Sequence, residues 1–377
     1  MPAPPPTHVV LIGGGHAHVQ ALHRWITAPP ARMRLTLVVD RARAVYSGMV
    51  PGFVAGDYAL HELEIDATRL ARRAGAHVVL GRAVAVDATA HRITVEGGPD
   101  VPYDVASLDV GATVRGLDLP GVREHALATR PIRDWVDRLD AQVKAVIARS
   151  RERLRIVVVG GGAAGVELGF TLRPRVLARG VEPRVTVLSD ATGILPGDSP
   201  RAARRLHREA RSRGIDIRTG TRVVAVEPDA VRLDHERVPA DLAVWATGAA
   251  PWPWLAQSQL STDDAGFVRI RRTLEVVGSD DLFAVGDCAT IDDAPWVRKA
   301  GVYAVREGPI LERNLRARLR GEPLRPYHPQ RRILSLIHLG DHRALASKWG
   351  LVAVGRWVWR WKRRVDERFV RRYRGVR

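Results

Sequence analysis

The stretch Arg155–Glu167, RIVVVGGGAAGVE, decides the fold. Ile156–Val159 is an apolar run of buried-strand type, Gly160, Gly161 and Gly162 break it, and Ala164–Leu172 continues as a helix before a second strand, Arg184–Leu188. A glycine-rich turn between strand and helix lets the backbone come up against a pyrophosphate, while the helix N-terminus offers unpaired N–H groups and a partial positive charge. Gly160, Gly162 and Gly165 fill all three positions of the G-x-G-x-x-G pattern. Nearer the N-terminus the arrangement occurs again: His8–Ile12, then Gly13, Gly14 and Gly15, a helix-like Ala17–Trp25, and a strand Leu35–Val39. Gly13 and Gly15 fit the first two positions, but His18 stands at the third, which predicts a looser helix–strand contact there. Asp40 closes that second strand, where a carboxylate can accept ribose hydroxyls.

Each unit is followed by an apolar strand with a small turn, Val105–Ala112 in the first and Asp241–Ala249 in the second. Arg133–Arg151 reads as an amphipathic linking helix, Leu282–Ala289 as a third strand-and-turn signal, and Val297–Arg320 as a long helix ending at a joint marked by Pro323, Pro326 and Pro329. These signals predict an α/β chain with two doubly wound, Rossmann-like dinucleotide-binding domains, the second inserted in the first. The expected boundaries are 1–117 with 249–335 for the first domain and 118–248 for the second. A basic amphipathic helical segment, 336–377, follows.

The composition narrows the classes. At 377 residues, 46% hydrophobic and 27% charged, the chain is a globular protein with room for two cores. Its net charge of +18 is not read as nucleic-acid binding, because no reading module is visible and the C-terminal aromatics fall on a helical stripe rather than a stacking platform. The single cysteine, Cys288, excludes an internal disulfide, a CxxC pair and a cysteine zinc site, and reads as a small buried residue. His16 and His18 are two residues apart and do not share a helix face, so no metal pair is expected. No secretory leader or membrane span is visible, and a cytoplasmic location is expected, with attachment to the inner face of the cell membrane as an option.

Two fingerprints, the stretch LFAVGDCA at Leu282–Ala289, Ala246-Thr247-Gly248 and its divergent counterpart Asp109-Val110-Gly111 together resemble the pyridine nucleotide-disulfide oxidoreductase superfamily. The resemblance implies FAD in the first unit and NAD(P)H in the second. Asp287, after Gly286, would hold the ribityl chain, and Gly248 would belong to the second unit's turn. Without a cysteine pair the chain looks most like the type II NADH:quinone oxidoreductases. Gly13–Val19, Tyr46–Gly52, Lys299–Pro309 and Trp357–Phe369 are similar to the oxidoreductase domain found fused to selenide, water dikinase. Val302 stands where the quinone reductases are expected to carry a glutamine near the quinone.

The residues themselves suggest roles. The loop Tyr46–Gly52, with Gly48 and Pro51, is expected to line the flavin, and His16 and His18 to contact its phosphates or ring. Ser189, followed by Asp190, ends the second unit's second strand. A carboxylate there favours the 2′-hydroxyl of NADH and an arginine the 2′-phosphate of NADPH, and the choice stays open. Glu167, placed on the first helical turn after the glycines, is either a contact for the nicotinamide amide or a solvated carboxylate. Lys299 either stabilises negative charge at the reduced flavin or is an exposed lysine. The expected reaction is hydride transfer from NAD(P)H to FAD and onward transfer to a quinone-type acceptor. The rivals are a soluble reductase for a ferredoxin- or rubredoxin-like protein and a flavin redox sensor or assembly factor.

From Leu351 to Arg377 ten arginines and lysines face only Asp366 and Glu367. Trp357, Trp361, Val365, Phe369 and Tyr373 recur every fourth residue as one stripe. Such a helix can lie in an anionic membrane interface, or pack on the flavin domain or on a second copy in a homodimer.

Overall fold

The computed structural model describes residues 5–149 and 153–374. The expected end of the linking helix at Arg151 lies outside the described residues. The chain runs through strand β1 (Thr7–Ile12), helix α1 (His16–Thr27), β2 (Met33–Val39), α2 (Val50–Ala55), β3 (His77–Leu80) and β4 (Val105–Leu108). The second half of the pattern follows as β5 (Ala126–Ala128), α3 (Ile132–Arg149), β6 (Arg153–Val159), α4 (Ala163–Leu177), β7 (Glu182–Leu188), α5 (Pro200–Arg211), β8 (Ile215–Arg218) and β9 (Leu242–Trp245). It closes with β10 (Leu282–Ala284), α6 (Gly301–Arg320), β11 (Ser335–His338), β12 (Ala344–Lys348), β13 (Leu351–Gly355) and α7 (Arg356–Arg374).

Two five-stranded sheets result, ordered β10-β4-β1-β2-β3 and β5-β9-β6-β7-β8, all strands parallel within each. The orders correspond strand for strand, as the repeated motif requires. Strand β10, far along the chain, completes the first sheet beside β4, so the second sheet is built from residues that lie between the two contributions to the first. The inner parts of the central strands, Val9–Ile12 of β1 and Ile156–Val159 of β6, are continuous apolar, buried runs, as both faces of a helix-covered parallel sheet demand. In each unit the strand-to-helix turn has a glycine at positive φ: Gly13 at +96° and Gly160 at +133°. A Cβ on either would lie 2.3 Å from a backbone oxygen of the neighbouring strand's turn, Asp109 O and Ala246 O respectively.

Two boundaries differ from expectation. The helix expected from Val297 begins only at Gly301, because Pro295–Ala300 runs along the cleft between the sheets. The C-terminal segment is not helical throughout: β11, β12 and β13 form an antiparallel sheet before α7. The turn between β12 and β13 is Trp349-Gly350, with φ of +52° and +81°, the left-handed pair a two-residue hairpin needs.

Helix α7 buries a face offset from the expected stripe, sharing Tyr373 with it. Val358, Lys362, Asp366, Val370 and Tyr373 are buried, whereas Trp357, Trp361 and Val365 are exposed. The buried face tolerates two charges because Lys362 Nζ lies 2.9 Å from Asp366 Oδ2 one turn on.

Candidate functional site

A cleft of about 910 Å³ runs between the two sheets. On one side it is lined by Gly160, Gly161, Gly162, Ser189 and Asp190, and on the other by Ser47, Pro51, Lys299 and Gly301, with Arg130, Glu167 and Gly248 between. The second unit's turn is open to it. Helix α4 starts at Ala163 with no side chain capping its N-terminus, and nothing lies within 4 Å of where a Cβ on its N-cap, Gly162, would be. Its first amides are therefore available to an anion. At the third glycine a Cβ would come 1.9 Å from Gly160 O, so Gly165 permits the close helix–strand packing of a nucleotide-binding turn.

Ser189 is buried, with its hydroxyl under the glycine loop. A Cβ on Gly161 would lie 2.2 Å from Ser189 Oγ. Asp190, not Ser189, therefore presents the exposed polar group at the end of β7. The exposed Arg222, just after Thr221, whose amide bonds Ser189 O, also lines the site.

On the other side, Asp287 sits in the turn after β10, and Arg130 Nη1 donates to its Oδ2 at 2.6 Å. Arg130, between β5 and α3, thus ties the second unit to the turn of the first. Sequence reading missed it, since a lone arginine before Pro131 carries no pattern. His16 borders Ser47, with Nε2 3.1 Å from Ser47 Oγ, and its ring lies 5.2 Å from that of Tyr46. Burial holds the imidazole down at about 4, so it is neutral. Asp40 is exposed just beyond β2. Helix α6 begins without a side-chain cap, and a Cβ on Gly301 would lie 2.9 Å from Ser47 Oγ, so a larger residue there would displace the Ser47 hydroxyl.

Three expectations are corrected. His18 does not face a ligand: it is fully buried, its Nδ1 donating to Gly13 O at 2.7 Å and its Nε2 accepting from Ser107 Oγ at 2.9 Å. The ring fills the space between α1 and β4 that a third glycine would have closed. Glu167 lies on the second turn of α4, because the helix starts at Ala163, and its Oε1 accepts from the His338 amide of β11 at 2.8 Å. Burial pushes this carboxyl up to about 7, against the pull of Lys362. It borders the cleft half-buried, with one carboxylate oxygen engaged by the chain. Lys299 is not an exposed lysine either. Its ammonium bonds Ala289 O and, at 2.6 Å, Thr290 Oγ1, and lies 4.2 Å over the Phe267 ring. Burial lowers its pKa.

Residues 7–308 match the family described as pyridine nucleotide-disulphide oxidoreductase. The chain belongs to this family. Among curated relatives, the demethylphylloquinone reductase of Synechocystis is 25% identical over 92% of this chain and 88% of its own length. An NADH dehydrogenase-like protein of Mycobacterium tuberculosis is 30% identical over 75% of this chain and 73% of its own. Among solved structures, the sulfide:quinone oxidoreductase of Aquifex aeolicus superposes with a TM-score of 0.80 over 98% of this chain and 92% of that one, at 18% identity. The NDH2 of Plasmodium falciparum, solved with NADH, superposes with 0.76 over 97% and 98%, at 13% identity.

As a pyridine nucleotide-disulphide oxidoreductase the chain is an oxidoreductase with FAD and a nicotinamide nucleotide as cofactors. The residues present fit them: two glycine turns at helix N-termini, the uncapped starts of α4 and α6, and a cleft joining the two units. Cys288, buried with its thiol pushed up to about 12 by burial, is no nucleophile. Among the described residues no cluster of His, Cys, Asp or Glu could hold a metal ion.

Proposed function

We propose that the chain takes hydride from NAD(P)H onto FAD and passes the electrons to a quinone. The observation that carries this reading is the single cleft joining the open Gly160–Gly162 turn to Ser47, Pro51 and Gly301, which gives a nicotinamide on one side access to a flavin on the other. FAD, when bound, supplies the two-electron store between donor and acceptor. In this reading Gly13, Gly15, His16, Asp40, Gly48, Pro51, Gly286 and Asp287 hold FAD, with Arg130 keeping Asp287 in place. Gly160, Gly162, Gly165 and Gly248 receive the nicotinamide nucleotide, and Ser189 shapes the turn that presents Asp190 to its ribose. Glu167 borders the nicotinamide end, and Lys299 offsets negative charge from beneath the flavin. We take the domain division to be at 117, 248 and 335, a reading supported by the second sheet's residues lying between the two contributions to the first. The two curated relatives, a quinone reductase and an NADH dehydrogenase-like protein by name, support the donor and acceptor classes.

The same reading places the C-terminal unit against an anionic membrane, where a lipid-soluble quinone is found. Six large hydrophobic residues are exposed among the described residues, and five of them, Trp349, Leu351, Trp357, Trp361 and Val365, fall in this one unit. Arg356, Arg360 and Arg364 are exposed beside them, and Arg201 of α5 reaches Gly350 O at the hairpin tip. An apolar tip ringed by arginines suits insertion among anionic headgroups, at about 1 kcal/mol for each basic residue engaged. No helix among the described residues is long and apolar enough to cross a membrane, so this contact is peripheral.

Anaerobic mixing tests the proposal. Flavin absorbance should bleach on NADH or NADPH and return on a short-chain quinone; bleaching with no return on quinone would remove the quinone from it.

A further inference from the structure

The two glycine turns are close copies, and their differences fall in one place. Gly13 and Gly160 occupy corresponding positions, each pressed against the backbone oxygen of the residue that ends the adjacent strand's run: Asp109 in the first unit, Ala246 in the second. Asp109 and Ala246 therefore correspond, as do His18 and Gly165. In the second unit the alanine methyl leaves the space over Gly162 empty. In the first, the Asp109 carboxylate fills that space: a Cβ on Gly15 would lie 2.0 Å from its Oδ1. Its Oδ2 accepts from the amides of Ala17 at 2.9 Å and His18 at 3.1 Å. The two departures from the fingerprint are thus one device. The residue replacing the third glycine is held by its own amide to the carboxylate replacing the alanine, and by its ring to Gly13 and Ser107.

We propose that Asp109 is the positioning residue of the flavin pyrophosphate site, clamping the first turn of α1 to the end of β4, and that FAD is received there with uptake of one proton onto this carboxylate. The amides of Ala17 and His18, which in the second unit remain open to an anion, are here answered by the chain itself. A phosphate brought to this helix end meets a carboxylate already on it. Two like charges so close are avoided when the carboxyl takes a proton from water, and a neutral carboxyl still accepts both amides through its carbonyl oxygen.

The surroundings favour the protonated form. Asp109 is 4% exposed. The carboxyls of Asp287 in the following turn and Glu307 on α6 face it and raise it further, and Cys288 beside it is a neutral thiol. Glu307 is itself bound to the Gly286 amide and raised by burial to about 7. The cations of the neighbouring turn serve other partners: Arg130 is on Asp287 and Lys299 on Ala289 and Thr290. Burial therefore pushes Asp109 up to about 7, against the two amides that pull it down.

FAD in the first unit is the premise, and binding of FAD to flavin-stripped protein across pH 6 to 9 tests it together with the role of Asp109. Wild-type affinity should weaken as pH rises above about 7, by up to about tenfold per pH unit for one proton. Asp109→Asn, which keeps an amide acceptor but cannot ionise, should bind FAD with a flatter profile and at least about tenfold more tightly than wild type at pH 8.5. Asp109→Ala, which frees the helix end, should differ from Asp109→Asn at pH 6. Parallel profiles for wild type and Asp109→Asn would overturn the proposal, as would a slope abolished by Glu307→Gln and untouched by Asp109→Asn. If Asp109→Asn does not fold, calorimetry of wild-type FAD binding at pH 7.5 in two buffers of different ionisation enthalpy reads the proton directly, and a value of zero overturns it. Failure to bind FAD at any pH would instead refute the cofactor assignment, and the role of Asp109 with it.

Discussion

Lys362 Nζ lies 2.8 Å from Gly48 O, so the last helix of the chain holds, through one buried ammonium, the loop that borders the cleft. The same ammonium is 2.9 Å from Asp366 Oδ2, and Phe369 one turn further stacks on Tyr46 with ring centroids 4.5 Å apart. Helix α7 therefore braces from behind the segment that brings Ser47 to the cleft.

Replacing Lys362 by methionine should destabilise the protein by about 3–5 kcal/mol, because Asp366 is left buried without its partner. The double variant Lys362→Met with Asp366→Leu should recover much of that loss. Urea unfolding of the three proteins measures both values.

The buried carboxyls make stability depend on pH. Asp109, Glu167 and Glu307 are all raised by burial to about 7. A carboxyl raised in the fold stabilises it at pH values below the unfolded pKa, and that contribution is lost as pH rises through the folded value. His16 and His18, lowered to about 4, act oppositely, but only below their unfolded value of about 6.5. Above pH 6.5 the opposing contribution of the histidines fades while these three carboxyls still titrate, so the urea midpoint of flavin-free protein should fall with rising pH. Glu167→Gln should flatten part of that fall.

His18→Ala should cost at least about 2 kcal/mol, since it empties a filled site between α1 and β4 and leaves Gly13 O and Ser107 Oγ without a partner. Thermal unfolding of the variant checks this.

Trp349→Ser with Leu351→Ser should leave the melting temperature within about a degree, as both side chains are largely exposed. Sedimentation with vesicles should change: wild type should pellet with anionic vesicles and the double variant should bind them at least about tenfold less. Equal binding by the two would move the membrane contact away from the hairpin tip.

The fold was legible because it rests on two local signals, the glycine turns at Gly13 and Gly160, each flanked by apolar runs that admit only a buried strand. The cleft followed from their repetition. What the sequence hid was the direction in which side chains point. His18, Ser189 and Lys299 all lie in or beside the motifs, yet each is turned to a partner in another element: Ser107, the loop at Gly161 and the Ala289–Thr290 strand. The stripe of α7 was offset for a similar reason. Hydrophobicity alone favours Trp357, Trp361 and Val365, but Lys362 and Asp366 neutralise each other and so take the buried face. Arg130 left no trace at all, since it is defined by a partner in another element, Asp287.

The most direct test is anaerobic stopped-flow of the flavin-loaded protein, following flavin absorbance first with NADH or NADPH and then with a short-chain quinone. The account predicts rapid bleaching by at least one nucleotide and rapid reoxidation by the quinone. A bound flavin that neither nucleotide reduces would contradict it.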